Sequence, residues 1–212
     1  MRNTILLISV LFIFGAFKSS KDYSDAGIMQ VAKDNLSKSL SLIPMGQEKG
    51  FGFSSRNEFA NAEIGKPYRV ITLSKDLFNE PDMVADKDYL VIQDEWRVPV
   101  TVNGENRVLL TVISKGNELK VVDMGGAELS KELQVNSASL NAKNNFYLMR
   151  VYSIDADFIT DDSAGSLSDA RYIPLNSALL SLDLRNMDHK TLFTFNHLLE
   201  VSKKAFINHP KN

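Results

Sequence analysis

Ile28, Ala32, Leu36, Leu40 and Ile43 recur at four- and three-residue spacing within DAGIMQVAKDNLSKSLSLI, residues 25–43. That spacing gathers them on one stripe of an α-helix, with polar residues on the other side. Ser24 or Asp25 can cap its start, and Pro44 with Gly46 marks its end. The glycine-rich polar run GQEKGFGFSSRN, residues 46–57, reads as a loop or linker.

The period then changes from helical spacing to alternation. YRVITL (68–73) and DYLVIQDEW (88–96) are strand candidates. In RVPVTVNGENRVLLTVIS (97–114), Asn103-Gly104 separates two β-branched runs. Both residues tolerate the positive φ that a two-residue hairpin turn requires. KGN (115–117) is the next turn and ELKVVDM (118–124) the next strand, so this region predicts an antiparallel meander. Pro99 has no N–H to give to a ladder, which predicts that its strand lies at an edge or leaves one side unpaired.

Gly125-Gly126 follows the meander, and AELSKELQ (127–134) supplies one or two helical turns, with Ala127 and Leu129 to Leu133 turned to the sheet. FYLMRVYSI (146–154) reads as a further strand, weakly echoing PYRVITLSKDLF. Residues 155–171, acidic and serine-rich with Gly165, read as a loop. RYIPLNSALLSL (171–182) predicts a short strand and a helical turn. A second long helix is expected over 188–208, with Leu192, Phe195, Leu199 and Phe206 on one side and Lys203 and Lys204 near its end, where cations suit the helix dipole. The fold expected is α+β: one domain over 21–212, with an antiparallel sheet of five to seven strands packed by the 25–43 and 188–208 helices.

The first twenty residues differ from all of this. Arg2 precedes an apolar block from Ile5 to Phe17, interrupted by Ser9. This is the layout of a secretory signal, and the block is shorter than the ~20 apolar residues of a membrane span. Small residues at a cleavage site are not clearly placed, since Phe14 precedes Ala16 and Lys18 precedes Ser20 at the spacing that matters. The expectation is a signal peptide or an uncleaved N-terminal anchor. Any membrane contact is expected only through residues 1–20, and the chain is expected outside the cytoplasm. There is no cysteine, so neither a disulfide nor a lipid-modified cysteine is available. Setting Arg2 and Lys18 aside leaves 22 basic against 26 acidic residues, a net charge of −4. With no dense Lys/Arg run, the composition argues against a nucleic-acid partner.

Several chemistries can be weighed from the motifs. Gly125-Gly126 lacks the G-x-G-x-x-G spacing, the parallel strand–helix unit and the lysine-serine pair of phosphate loops, so it reads as a strand-to-helix turn. No G-x-S-x-G elbow occurs, and any triad would have to draw its base from His189, His197 or His209. His189 and His197 are eight apart, roughly 12 Å along a helix, which is too far to share an ion. Asp155, Asp157, Asp161, Asp162 and Asp169 offer oxygen ligands of the kind calcium prefers, but without the EF-hand pattern they read as a solvated acidic loop. No catalytic residue, metal site or cofactor is assigned. Trp96 and Arg97 are the candidate binding residues, because tryptophan beside arginine on an exposed strand edge is the composition of a recognition surface.

The segments IGKPYRVITL, WRVPVTVNG and GGAEL, within residues 63–135, resemble a pattern of uncharacterised exported bacterial domains. The resemblance implies export and brings no activity or functional residues with it. The expected function is an exported, non-catalytic binding or accessory module with a protein or small-molecule partner. The alternative is a secreted hydrolase whose acids or serines meet only in the fold.

Overall fold

The computed structural model describes residues 23–80, 89–140, 143–184 and 192–208. Residues 1–20, His189 and His209 lie outside the described residues. In chain order the elements are α1 (Asp25–Ser41), β1 (Ala62–Ile64), β2 (Tyr68–Leu73), α2 (Asp76–Asn79), β3 (Leu90–Val102), β4 (Glu105–Lys115), β5 (Glu118–Gly125), α3 (Ala127–Ser137), β6 (Phe146–Val151), β7 (Ala156–Asp161), β8 (Arg171–Pro174), α4 (Asn176–Ser181), β9 (Phe193–Thr194) and α5 (Phe195–Asn208). No helix among the described residues is long and apolar enough to cross a membrane.

The fold is α+β with a mostly antiparallel, open sheet of nine strands among the described residues. Its order is β5-β4-β3-β2-β6-β7-β8-β9, and β1 pairs with β3. This exceeds the five to seven strands expected. One pairing also departs from the antiparallel expectation: β2 and β6 run parallel, with Tyr68 opposite Phe146 and Ile71 opposite Met149. The two aromatic-led segments that weakly echo one another in sequence are thus this central parallel pair.

Successive side chains in a strand point to opposite faces, and here both faces are covered. On one face, Ile28, Ala32 and Leu40 of α1 pack on Trp96, Val98, Val100, Val108, Leu110 and Val112. Phe195, Leu198 and Leu199 of α5 pack with Ile71, Met149, Val151, Phe158 and Tyr172. Leu133 of α3 packs with Tyr68, Leu109, Phe146, Leu148 and Ile159, the residues between those positions, so α3 lies on the opposite face. Ser24 caps α1, its hydroxyl accepting from the Gly27 N–H at 3.3 Å. Gly126, at φ 68° and ψ 46°, makes the strand-to-helix turn into α3, which runs for 11 residues rather than one or two turns.

The β3–β4 hairpin turns at Asn103 and Gly104, whose φ values are 52° and 79°. Both are positive, as the two-residue turn demands. A Cβ at Gly104 would meet nothing within 4 Å, so a substitution there acts on the backbone alone. Gly104→Val should therefore cost about 1 kcal/mol or more, and Gly104→Asn less. Paired thermal melts check the order of the two variants.

Three expectations are corrected. First, β3 is an interior strand, paired with β4 on one side and with β1 and β2 on the other. Pro99 is tolerated there for a positional reason. Its carbonyl accepts from the Gly65 N–H at 2.8 Å, and the N and C=O of a strand residue point the same way. Its missing donor therefore faces residues 65–67, the link between β1 and β2, where no ladder donor is needed. Gly65 allows the close approach, since a Cβ there would lie 3.2 Å from the Pro99 Cβ.

Second, residues 155–171 are not all loop. β7 occupies Ala156–Asp161 and every one of its residues is buried. Its polar members are satisfied. The Arg150 guanidinium donates to both Asp157 oxygens, at 2.9 and 3.4 Å, and the Thr160 hydroxyl donates to the Arg171 carbonyl at 2.8 Å. Third, α5 begins at Phe195, because Phe193 and Thr194 form β9 against Tyr172 and Arg171; residues 188–191 of the expected helix lie outside the described residues. The Thr194 hydroxyl accepts from the His197 N–H at 3.2 Å and starts the helix.

Candidate functional site

The residues singled out as a binding pair do not share a surface. Trp96 is 2% exposed and sits in the core beneath α1. Arg97, one residue on, points to the opposite face. Its guanidinium donates to the Thr111 hydroxyl and lies 2.6 Å from Glu95. With β3 interior and Trp96 buried, the exposed edge on which that pairing depended is not there. Around Arg97 the sheet carries further charge in Arg150 and Asp157, and Tyr152 stands 54% exposed beside them. Partial burial raises the Tyr152 phenol above its ordinary value, and the nearby Glu95 carboxylate adds to the rise.

The acidic residues also separate. Asp157 is tied to Arg150. Asp161 accepts from the Asn144 side chain at 3.1 Å and the Ser163 N–H at 3.1 Å. Asp162 accepts from the Asn145 backbone and side chain at 3.0 and 2.7 Å. Among the described residues no three His, Asp or Glu side chains gather as a metal site would require. His197 stacks on Phe193, ring centroids 4.8 Å apart, and is exposed.

A concavity formed by described residues lies elsewhere, between the end of α3 and the β7–β8 strands. It is an open cleft of about 940 Å³. One wall is Val135 and Asn136 of α3 with Ala138, Ser139 and Leu140 just beyond it. The other is Asp161, Ser163 and Ala164 at the end of β7, Asp169, and Arg171 and Ile173 of β8, with Leu192 before β9. Its lining is mainly apolar, and its charged groups are three: Asp161, Asp169 and Arg171.

Hydrogen bonds hold both walls in place. The Gln134 side chain accepts from the Asn106 N–H at 2.8 Å and donates to the Gly104 carbonyl at 2.7 Å, which fixes α3 to the tip of the β3–β4 hairpin. Asn106 also donates to the Ser130 carbonyl at 2.8 Å. Below the helix, the Tyr68 hydroxyl reaches the Leu133 carbonyl at 3.4 Å, and burial raises its pKa. The opposite wall is fixed by the β7–β8 ladder, and the Tyr172 hydroxyl donates to the Leu167 carbonyl at 2.8 Å to hold the connecting loop. Extending the register of Ile159 and Ile173 by two residues sets Asp161 beside Arg171. Asp161 is 5% exposed, whereas Arg171 is exposed.

Asp161 and Asp169 were visible in the sequence as acids, but not as parts of one cleft. Arg171 carried no motif at all. One signal was present: Leu129 and Leu133 set the buried stripe of α3, and Val135 falls outside it. Val135 is 74% exposed and Leu192 is 52% exposed, two large apolar side chains facing water at the cleft. A smaller groove of about 360 Å³ runs between α1 and the edge strand β5, lined by Leu42, Phe51 and Val122 among others. No protein-family model, curated protein or solved structure matches this chain.

Proposed function

We propose that this chain is an exported binding module whose ligand sits in the cleft between α3 and the β7–β8 strands. The observation that carries the reading is the cleft itself. Its volume falls within the roughly 300–1,000 Å³ of small-molecule sites, and its mix of apolar walls with a few polar groups is what such sites use. Val135 and Leu192 remain in water at its rim, and covering them favours association. The Arg2-led apolar block supports export. The hydrolase alternative finds two acids, Asp161 and Asp169, and two serines, Ser139 and Ser163, in the cleft, but His197 is not among the described residues that line it.

Ala138 is exposed and forms the C-cap of α3, so a larger side chain there fills the cleft without entering the core. Titration with the neutral apolar fluorophore N-phenylnaphthylamine should saturate at one site on the parent. Ala138→Trp should weaken that binding by about tenfold or more at an unchanged melting temperature. Equal saturable binding by the two proteins, or none by the parent, would remove the cleft as the ligand site.

A further inference from the structure

We infer that the ligand of this cleft is an apolar molecule ending in a single carboxylate, with Arg171 as the residue that reads the carboxylate. The inference rests on the cleft being the ligand site, and three observations carry it further. The first is the state of the arginines. Among the described residues, Arg56 pairs with Glu48, Arg69 with Asp94, Arg97 with Glu95, Arg107 with Glu58 and Arg150 with Asp157. Arg171, the sixth described arginine, forms no ion pair and no side-chain hydrogen bond among the described residues. A fold that pairs its other described guanidiniums leaves this one open, and it is the one that lines the cleft.

The second observation is chemical shape. A guanidinium presents a planar fork of donors that matches a carboxylate with two parallel hydrogen bonds. The surrounding surface is apolar, given by Val135, Leu140, Ile173 and Leu192. One anionic end and one apolar body are what the two parts of the cleft complement. The third is charge. Asp161 and Asp169 also line the cleft, and Asp161 lies beside Arg171 across the β7–β8 register. Two nearby carboxylates disfavour a doubly charged head such as a phosphate monoester more than a singly charged one, because the repulsion grows with the charge. A singly charged carboxylate fits both constraints.

The test is calorimetric titration of the full chain with dodecanoate, dodecyl phosphate, dodecylamine and dodecanol, each below its micelle concentration. Dodecanoate should bind most tightly. Arg171→Gln should weaken dodecanoate by about tenfold or more, the scale of a lost charge-assisted hydrogen bond, and leave dodecanol unchanged. Arg171→Lys should recover part of the loss, since it restores the charge without the fork. If dodecanol binds as tightly as dodecanoate, or Arg171→Gln binds dodecanoate as the parent does, the carboxylate reading fails while the cleft stands. Tighter binding of the phosphate or the amine overturns it as well. If Ala138→Trp leaves all four unchanged, or none binds the parent, the cleft itself is wrong.

Discussion

Trp96→Ala should cost about 3–5 kcal/mol of stability, the loss typical of deleting a large buried aromatic. Trp96 lies in β3 between Arg69 of β2 and Val112 of β4. Tyr23 meets its ring edge-on, with centroids 5.9 Å apart and planes at 89°. The Arg69 guanidinium stands 5.3 Å from the ring centroid on a stem that Asp94 holds in place. Removing the indole leaves a void beneath the start of α1 and strips both ring contacts at once. Trp96→Phe keeps an aromatic ring in the gap and should cost less. Chemical denaturation of the three proteins checks the order, with the midpoint falling and the slope unchanged. This is the only tryptophan in the chain, so the parent's emission should itself report a buried, apolar site. An alanine variant as stable as the parent would show that the ring is not part of the core.

The same residue shows where sequence reasoning holds and where it stops. Local signals transferred well. YRVITL is β2 residue for residue, and Ser24 caps α1 as its hydroxyl allows. Asn103-Gly104 turns the hairpin, and Ile28, Ala32, Leu40 and Ile43 are all buried. These depend on neighbours a few residues away, and the pattern contains those neighbours. Pro99 shows the limit. Proline signals an unpaired N–H side, and that holds, but the gap is supplied by the break between β1 and β2 rather than by a sheet edge. Where the gap lies depends on chain more than thirty residues earlier, which no local pattern reveals.

β7 was hidden for a related reason. A strand buried on both faces has no alternation, and Asp157 and Asp161 gave its segment the look of a solvated loop. Those acids are buried because Arg150, Asn144 and the Ser163 N–H meet them. The cleft is the least legible feature. Its walls come from residues 135–140 and 161–173, and they face each other because α3 is packed on the sheet through Leu133 and tied to the hairpin tip by Gln134. Residue type announced none of this for Arg171. What distinguishes it is a missing partner, which becomes visible only when the partners of the other described arginines are known.

Leu133→Ala should be the second large loss, about 2–5 kcal/mol, and the one that ties stability to the cleft. Leu133 is fully buried and, with Leu129 partly buried beside it, seats α3 on the sheet among Tyr68, Leu109, Phe146, Leu148 and Ile159. The carbonyl of the same residue accepts the Tyr68 hydroxyl. Shortening the side chain opens a void between helix and sheet, and the cost depends on how far α3 can settle into it. Settling moves Val135 through Leu140, which form one wall of the cleft. The variant should therefore bind N-phenylnaphthylamine more weakly even under conditions where it is fully folded. Leu133→Met nearly conserves volume, so it should cost under about 1.5 kcal/mol and keep most of the binding. Melting curves and fluorophore titrations on the same samples separate the two effects. Lower stability with unchanged binding would mean that the seat of α3 does not shape the cleft. An unchanged melting temperature would mean that Leu133 is not what holds the helix down.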